Sequence, residues 1–283
     1  MDHLLIPESE LPSRPGTPWV EASPDSDDSL EWMTPSKCKP AAQVAEVLDK
    51  AEIPSLLWGS WAIATIGKFV ISTQIEFVIA DELLEQAKSA LMSSLVGGPA
   101  GDAHFHDLKH KTYKGPLRLH RKSTLIWWVP DPVLEHPEKD DSFFTLTNDP
   151  EALPNGRNDG PSGPWTGLYP IRILKPVHMT EALMFLECRD FKGLDFWMRW
   201  RLLLNQLLEN SDNPNTYIKK TLRPVLQPYW EWLNGDEDHD INKREDFLKK
   251  IIAGLSEDHE LFEKPEWGEF KKRVQPHLVS MKQ

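Results

Sequence analysis

LLWGSWAIATIGKFVISTQIEFVIADELLEQA, residues 56–87, changes its hydrophobic rhythm several times, and those changes set the fold. IPSLLW (53–58) is a short apolar run that reads as a buried strand ending at Trp58. Gly59-Ser60 then opens WAIATIG, a short helix that Gly67 ends. QIEFVIA (74–80) is a second apolar run, rich in β-branched residues and carrying one acid, Glu76. Asp81 is a natural N-cap for DELLEQAKSALMSSL, an amphipathic helix with Leu83, Leu84, Ala87, Ala90, Leu91 and Leu95 on one side. Gly97-Gly98-Pro99 ends that helix. Upstream, AAQVAEVLDKA (41–51) places Val44, Val47 and Leu48 on one helical face, with Pro40 just before it.

Beyond this stretch the chain divides by composition. Residues 1–40 hold Pro7, Pro12, Pro15, Pro18, Pro24, Pro35 and Pro40 and the acidic run Asp25-Ser26-Asp27-Asp28, with no sustained period, so an extended, poorly ordered arm is expected. From 102 to 123 the basic residues Lys109, Lys111, Lys114, Arg118, Arg121 and Lys122 stand among His104, His106, His110 and His120. GPLRLHR and STLIWWV read as two further strands, joined as a hairpin around Lys122-Ser123. Residues 130–168 are turn chemistry broken only by SFFTLT, and read as a long surface loop. After IRILKPV the pattern is helical to the end, with a break near Pro224 and Pro228. The Trp-rich pieces WMRWRLLL and PYWEWL read as core. The expected architecture is α/β (α+β): a mixed sheet with flanking helices over 41–168, then an all-helical half over 169–283.

Charge and cysteine usage narrow the function. Lys+Arg is 32 and Asp+Glu 44, a formal net charge of -12, which argues against bulk DNA binding and leaves nucleic acid only a local basic patch. No apolar run has the length of a membrane span, and the first residues lack the marks of a signal peptide, so a cytoplasmic protein is expected. Cys38 and Cys188 are too few for a disulfide framework or a cysteine metal site, and the histidine spacing fits no zinc motif.

The chemistry concentrates on Gly59, Ser60 and Glu76. Glycine at a helix start lets an anion approach backbone N–H groups, and serine adds a hydroxyl donor. On a strand, residues 74 and 76 project from the same face. The ordered set strand, Gly-Ser, helix, strand with an acid, helix resembles the polymerase-β-like nucleotidyltransferase superfamily, especially its small toxin-type and fungal members. The resemblance covers about residues 41–129. It implies a nucleotidyltransferase-like mixed sheet and a nucleotide-phosphate site at Gly59-Ser60. It also implies Mg²⁺ held by two carboxylates one residue apart.

Gln74-Ile75-Glu76 stands where that family has Asp-x-Asp. An amide is a poor Mg²⁺ ligand, and a third carboxylate on a later strand is not evident. Arg118 and His120 share a face of the next strand candidate, so the expected site holds cations in place of metal. Bland alternatives stand beside this: Glu76 as a salt-bridged strand residue, Ser60 as an N-cap, and the basic run as a solvated face. Arg172, Lys175, Arg189 and Lys192 either line a cleft between the halves or lie on the surface.

Three functions follow as expectations. The first is a transferase with a rebuilt, metal-poor site: Ser60 and Glu76 catalytic, and Gly59, Gln74, Arg118, His120, Lys109, Lys111 and Lys122 binding substrate or anion. One form of it is a fungal, tRNA-dependent synthase of the cyclodipeptide type, with aminoacyl-tRNA as partner. The second is conventional Mg²⁺-dependent nucleotidyl transfer. The third is an inactive binding or scaffold protein.

Overall fold

A computed structural model describes residues 38–66, 74–99, 106–110, 115–135, 137–138, 141–149, 165, 167–190, 194–208, 220–234, 241–258 and 262–281. Of the expected arm over 1–40, residues 38–40 are already helical rather than extended, with Pro40 in the first turn, and 1–37 lie outside the described residues, as do Gly67, Thr73 and 150–164.

The five-stranded sheet has the order β1-β2-β5-β4-β3. Its strands are β1 (Ser55–Trp58), β2 (Ile75–Ile79), β3 (Val96–Pro99), β4 (His106–His110) and β5 (Pro116–Arg121). β1 runs antiparallel to β2, β2 parallel to β5, and β4 antiparallel to both β5 and β3. The sheet is therefore mixed. Every residue of β1 and of β2 is buried, as the continuous apolar runs require of strands covered on both faces. Helices α1 (Cys38–Lys50), α2 (Gly59–Thr65) and α3 (Leu84–Ser94) accompany it. β6 (Phe144–Leu146) and β7 (Arg172–Leu174) form a separate antiparallel pair, with β7 lying against β1. Among the described residues, five further α-helices follow the short turn α4 (Lys122–Leu125). They are α5 (Pro176–Asp190), α6 (Leu194–Leu208), α7 (Gln227–Asn234), α8 (Ile241–Glu257) and α9 (Gly268–Met281).

Two local expectations give way to tertiary structure. STLIWWV is not a strand: Lys122–Leu125 turns as α4. Both edges of β5 are already hydrogen-bonded, to β2 and β4, so no third strand can join it as a hairpin. Asp81 does not cap its own helix either. Its carboxylate accepts the Ser123 backbone N–H at 3.0 Å and the Ser123 hydroxyl at 2.6 Å. β2 and β5 are parallel neighbours, so the residues just past their ends meet. Asp81 thus holds the turn after β5 rather than the one after β2.

Large rings bind the helical half to the sheet. Trp127, just past β5, packs against Phe185 of α5 and against Trp267 and Phe270 at the start of α9, with centroids 5.6–6.4 Å apart. Trp128 meets Phe185 edge-on at 5.5 Å. Trp200, Trp230 and Trp232 of the tryptophan-rich pieces are buried as well. Rings of this size cost about 3–5 kcal/mol each when cut to alanine. Arg172 of β7 reaches Asp49 of α1 at 3.0 Å, beside Tyr169, whose hydroxyl donates to the same carboxylate. Burial and that carboxylate push Tyr169 up to about 12.

Candidate functional site

The strand register builds the site. Trp58 pairs with Glu76 across β1–β2, and Glu76 pairs with Arg118 across β2–β5. Val78 pairs with His120, one step further along the same face. Glu76, Arg118 and His120 therefore emerge together. His120 Nε2 lies 3.0 Å from Glu76 Oε2. All three residues are buried; Glu76 retains 3% of its surface. A charge this deep needs partners.

Gly59 closes the site from above. Its φ is +67°, in the left-handed region where a side chain is strained. A Cβ there would lie 3.1 Å from Glu76 Oε2 and 3.2 Å from its carboxyl carbon. Glycine is thus needed twice, for the turn from β1 into α2 and for the space the carboxylate fills. The sequence reserved that space for a phosphate; the structure places the side chain of Glu76 against it. Ser60 is half-buried in the first turn of α2, and its hydroxyl has no partner among the described residues.

The remaining partner comes from far along the chain. Arg199, on α6, donates through Nη2 to both carboxylate oxygens of Glu76. Its side chain is 25% exposed, against 4% for that of Glu76. α6 packs on α2, which brings residue 199 over the β1–α2 turn. Sequence reasoning missed Arg199. The one available signal was a lone acid in a central strand, which demands a cation without saying which.

Burial alone would raise the pKa of Glu76. The hydrogen bond from His120 and the charges of Arg199 and Arg118 outweigh it and hold the carboxyl below its ordinary 4.5. Asp190 is likewise held below its ordinary 3.8: burial opposes ionisation, and Arg189, Trp200 and Arg273 overcome it. A depressed carboxylate stabilises the fold above its unfolded pKa and loses that contribution as pH falls through the folded value. The free energy of unfolding is therefore expected to drop steadily below about pH 4.5, with Glu76→Gln flattening the slope. Urea titrations across pH 3–6 (about that range, spanning the ordinary carboxylate values) measure this.

Other candidate residues lie elsewhere or outside the described side chains. Lys122 pairs with Asp131 at 2.8 Å rather than with Glu76. The side chain of Lys109, on β4, and all of Lys111 fall outside the described residues. Gln74 sits half-buried just before β2. Arg172 and Arg189 are buried structural pairs, with Asp49 and Asp190, rather than cleft-lining cations. Lys175 donates to the backbone carbonyl of Asp141. Lys192 lies outside the described residues. Cys38 and Cys188 are buried, and burial pushes the Cys38 thiol up to about 12, away from thiolate chemistry.

The donor set does not fit a magnesium pair. Glu76 is a single carboxylate whose oxygens accept from Arg199 and His120, and position 74 is an amide. Among the described residues no group of three or more His, Cys, Asp or Glu side chains is placed to hold a metal. None of their helices is long and apolar enough to cross a membrane.

No family model and no curated protein matches the chain. Among solved structures it is similar to the solution structure of the antibiotic-resistance factor ANT(2'')-Ia. The identity is 12% and the TM-score 0.39, over 80% of this chain and 99% of that one.

Proposed function

We propose that the chain is a transferase on a nucleotidyltransferase-like scaffold whose acid works in an ion-paired cluster rather than on paired metal ions. The observation that carries this reading is the buried Glu76–His120 contact of 3.0 Å beneath the Gly59 turn. Glu76 is a poor general base there, because His120 and Arg199 already occupy its oxygens and hold its proton affinity down. Its role is to orient His120, as a carboxylate orients the imidazole of a hydrolytic triad. With Nε2 turned to Glu76, Nδ1 of His120 is left to take a proton from an acceptor hydroxyl or amine. Ser60, on the first turn of α2 and with no hydroxyl partner among the described residues, is the donor next to the Gly59 turn.

The test offers the protein each labelled nucleoside triphosphate and charged tRNA in turn, with and without EDTA. Label transfer that survives EDTA and disappears in His120→Asn is the expected result. Transfer from a triphosphate that EDTA abolishes overturns the metal-poor reading and restores the conventional one. Salt-sensitive tRNA binding with aminoacyl transfer selects the tRNA-dependent form. No transfer from any donor leaves a binding protein and overturns the enzyme reading.

A further inference from the structure

Arg199 does more than neutralise Glu76. The carboxylate already has His120 at 3.0 Å and Arg118 beside it in the sheet. A further cation nonetheless reaches it from the other half of the chain. Only Nη2 of Arg199 is used in that contact. Nε and Nη1 have no partner among the described residues, and the side chain is a quarter exposed. Its guanidinium also lies over the ring of Trp200, 5.4 Å from the centroid. Trp200 is itself fixed by a 2.9 Å hydrogen bond from its indole N–H to Asp190. Arg199 is thus pinned on one edge by a buried carboxylate and on one side by a fixed ring. The entropy of ordering its long side chain is already spent, and its remaining N–H groups meet no acceptor among the described residues.

The neighbours of Arg199 give the ligand a second property. Met198 and Leu202 are 54% and 60% exposed, among the most exposed large apolar residues described. Leu202 lies four positions after Met198 and three after Arg199, so it neighbours both on the α6 surface. A held guanidinium whose other donors are unpartnered among the described residues, beside two bare apolar side chains, is complementary to an anion that carries an apolar group.

We propose that Arg199 is the receptor for a small organic anion, a carboxylate or a phosphate monoester, whose apolar part lies on Met198 and Leu202. This rests on the reading of the Glu76 cluster as the working site, and it names the substrate class that site takes. Glu76 then has two tasks, orienting His120 for proton transfer and holding Arg199 for binding.

Calorimetric titration of the full chain with phenyl phosphate, benzoate, inorganic phosphate and benzamidine tests it. Benzamidine has the same ring with a cationic head. The expected result is binding of phenyl phosphate or benzoate at least about tenfold tighter than inorganic phosphate, and no binding of benzamidine. Arg199→Gln should weaken the aryl anion at least about tenfold, and Leu202→Ser should narrow its advantage over inorganic phosphate. Arg199→Lys keeps a cation for Glu76 but loses the fork, so it should stay folded and bind the anion several-fold less tightly. It decides the matter if the glutamine variant does not fold. Preferential binding of benzamidine would mean that a cation displaces Arg199 from Glu76, and would overturn the proposal. So would equal aryl-anion binding by the wild type and both Arg199 variants, or none by the wild type. Binding is read without donor or acceptor, so a failed transfer assay leaves this result standing.

Discussion

Glu76→Ala is expected to abolish transfer and to destabilise the chain by about 3 kcal/mol, the low end for breaking a buried ion pair. The variant removes the acceptor for His120 Nε2 and for Nη2 of Arg199, and leaves Arg118 beside an empty place in a fully covered strand pair. Arg199, a quarter exposed, can turn to water, so the cost stays below that of a wholly enclosed pair. Glu76→Gln should cost less, because the amide oxygen still accepts one hydrogen bond, but the oriented imidazole and the pinned guanidinium are both weakened. Urea unfolding of the three proteins at neutral pH, beside the transfer assay, checks this. An alanine variant with the wild-type midpoint and undiminished transfer would reduce Glu76 to a bystander and end the functional reading.

Asp190→Ala is the larger stability prediction, about 3–5 kcal/mol, from a total that for most domains is only about 5–15. Asp190 ends α5. Its two oxygens accept from Arg189 at 2.9 and 2.7 Å, from the Trp200 indole at 2.9 Å and from Arg273 at 2.7 Å. One buried carboxylate thus joins α5, α6 and α9. Removing it strands the Arg189 side chain, which is 6% exposed, whereas Arg273 is half in solvent and loses little. Arg273→Ala is accordingly expected to cost under about 1 kcal/mol. The double variant should be close to Asp190→Ala alone, since both changes remove the same contact. Trp200 also backs Arg199, so Asp190→Ala should weaken aryl-anion binding while leaving Arg199 itself in place. Denaturant midpoints and the same calorimetric titration measure both effects.

The front of the chain was legible because short-range pattern dominates there. The apolar runs ending at Trp58 and Ile79 could only be covered strands, and Gly59 between a strand and a helix marked a turn that needs positive φ. Alternation then placed Arg118 and His120 on one face of β5, and the parallel register with β2 set them beside Glu76. What failed were readings that depend on neighbours in space. Asp81 has the chemistry of an N-cap, but its carboxylate is taken by Ser123 across the parallel strand pair. STLIWWV has the composition of a strand, but both edges of β5 were taken.

The sequence by itself determined the covered strands, the glycine turn, the lone acid, the missing second carboxylate and the helical second half. Each follows from a residue's own backbone preference or from a period of two or 3.6 within a dozen positions. Only the tertiary structure decided that Arg199, 123 residues beyond Glu76, is the cation closing the site, and that Asp190 gathers three helices. A buried charge requires a partner, but the requirement carries no address. Which of many cations supplies it depends on how α6 packs against α2, a contact set by the volumes of the whole core rather than by any local stretch of chain.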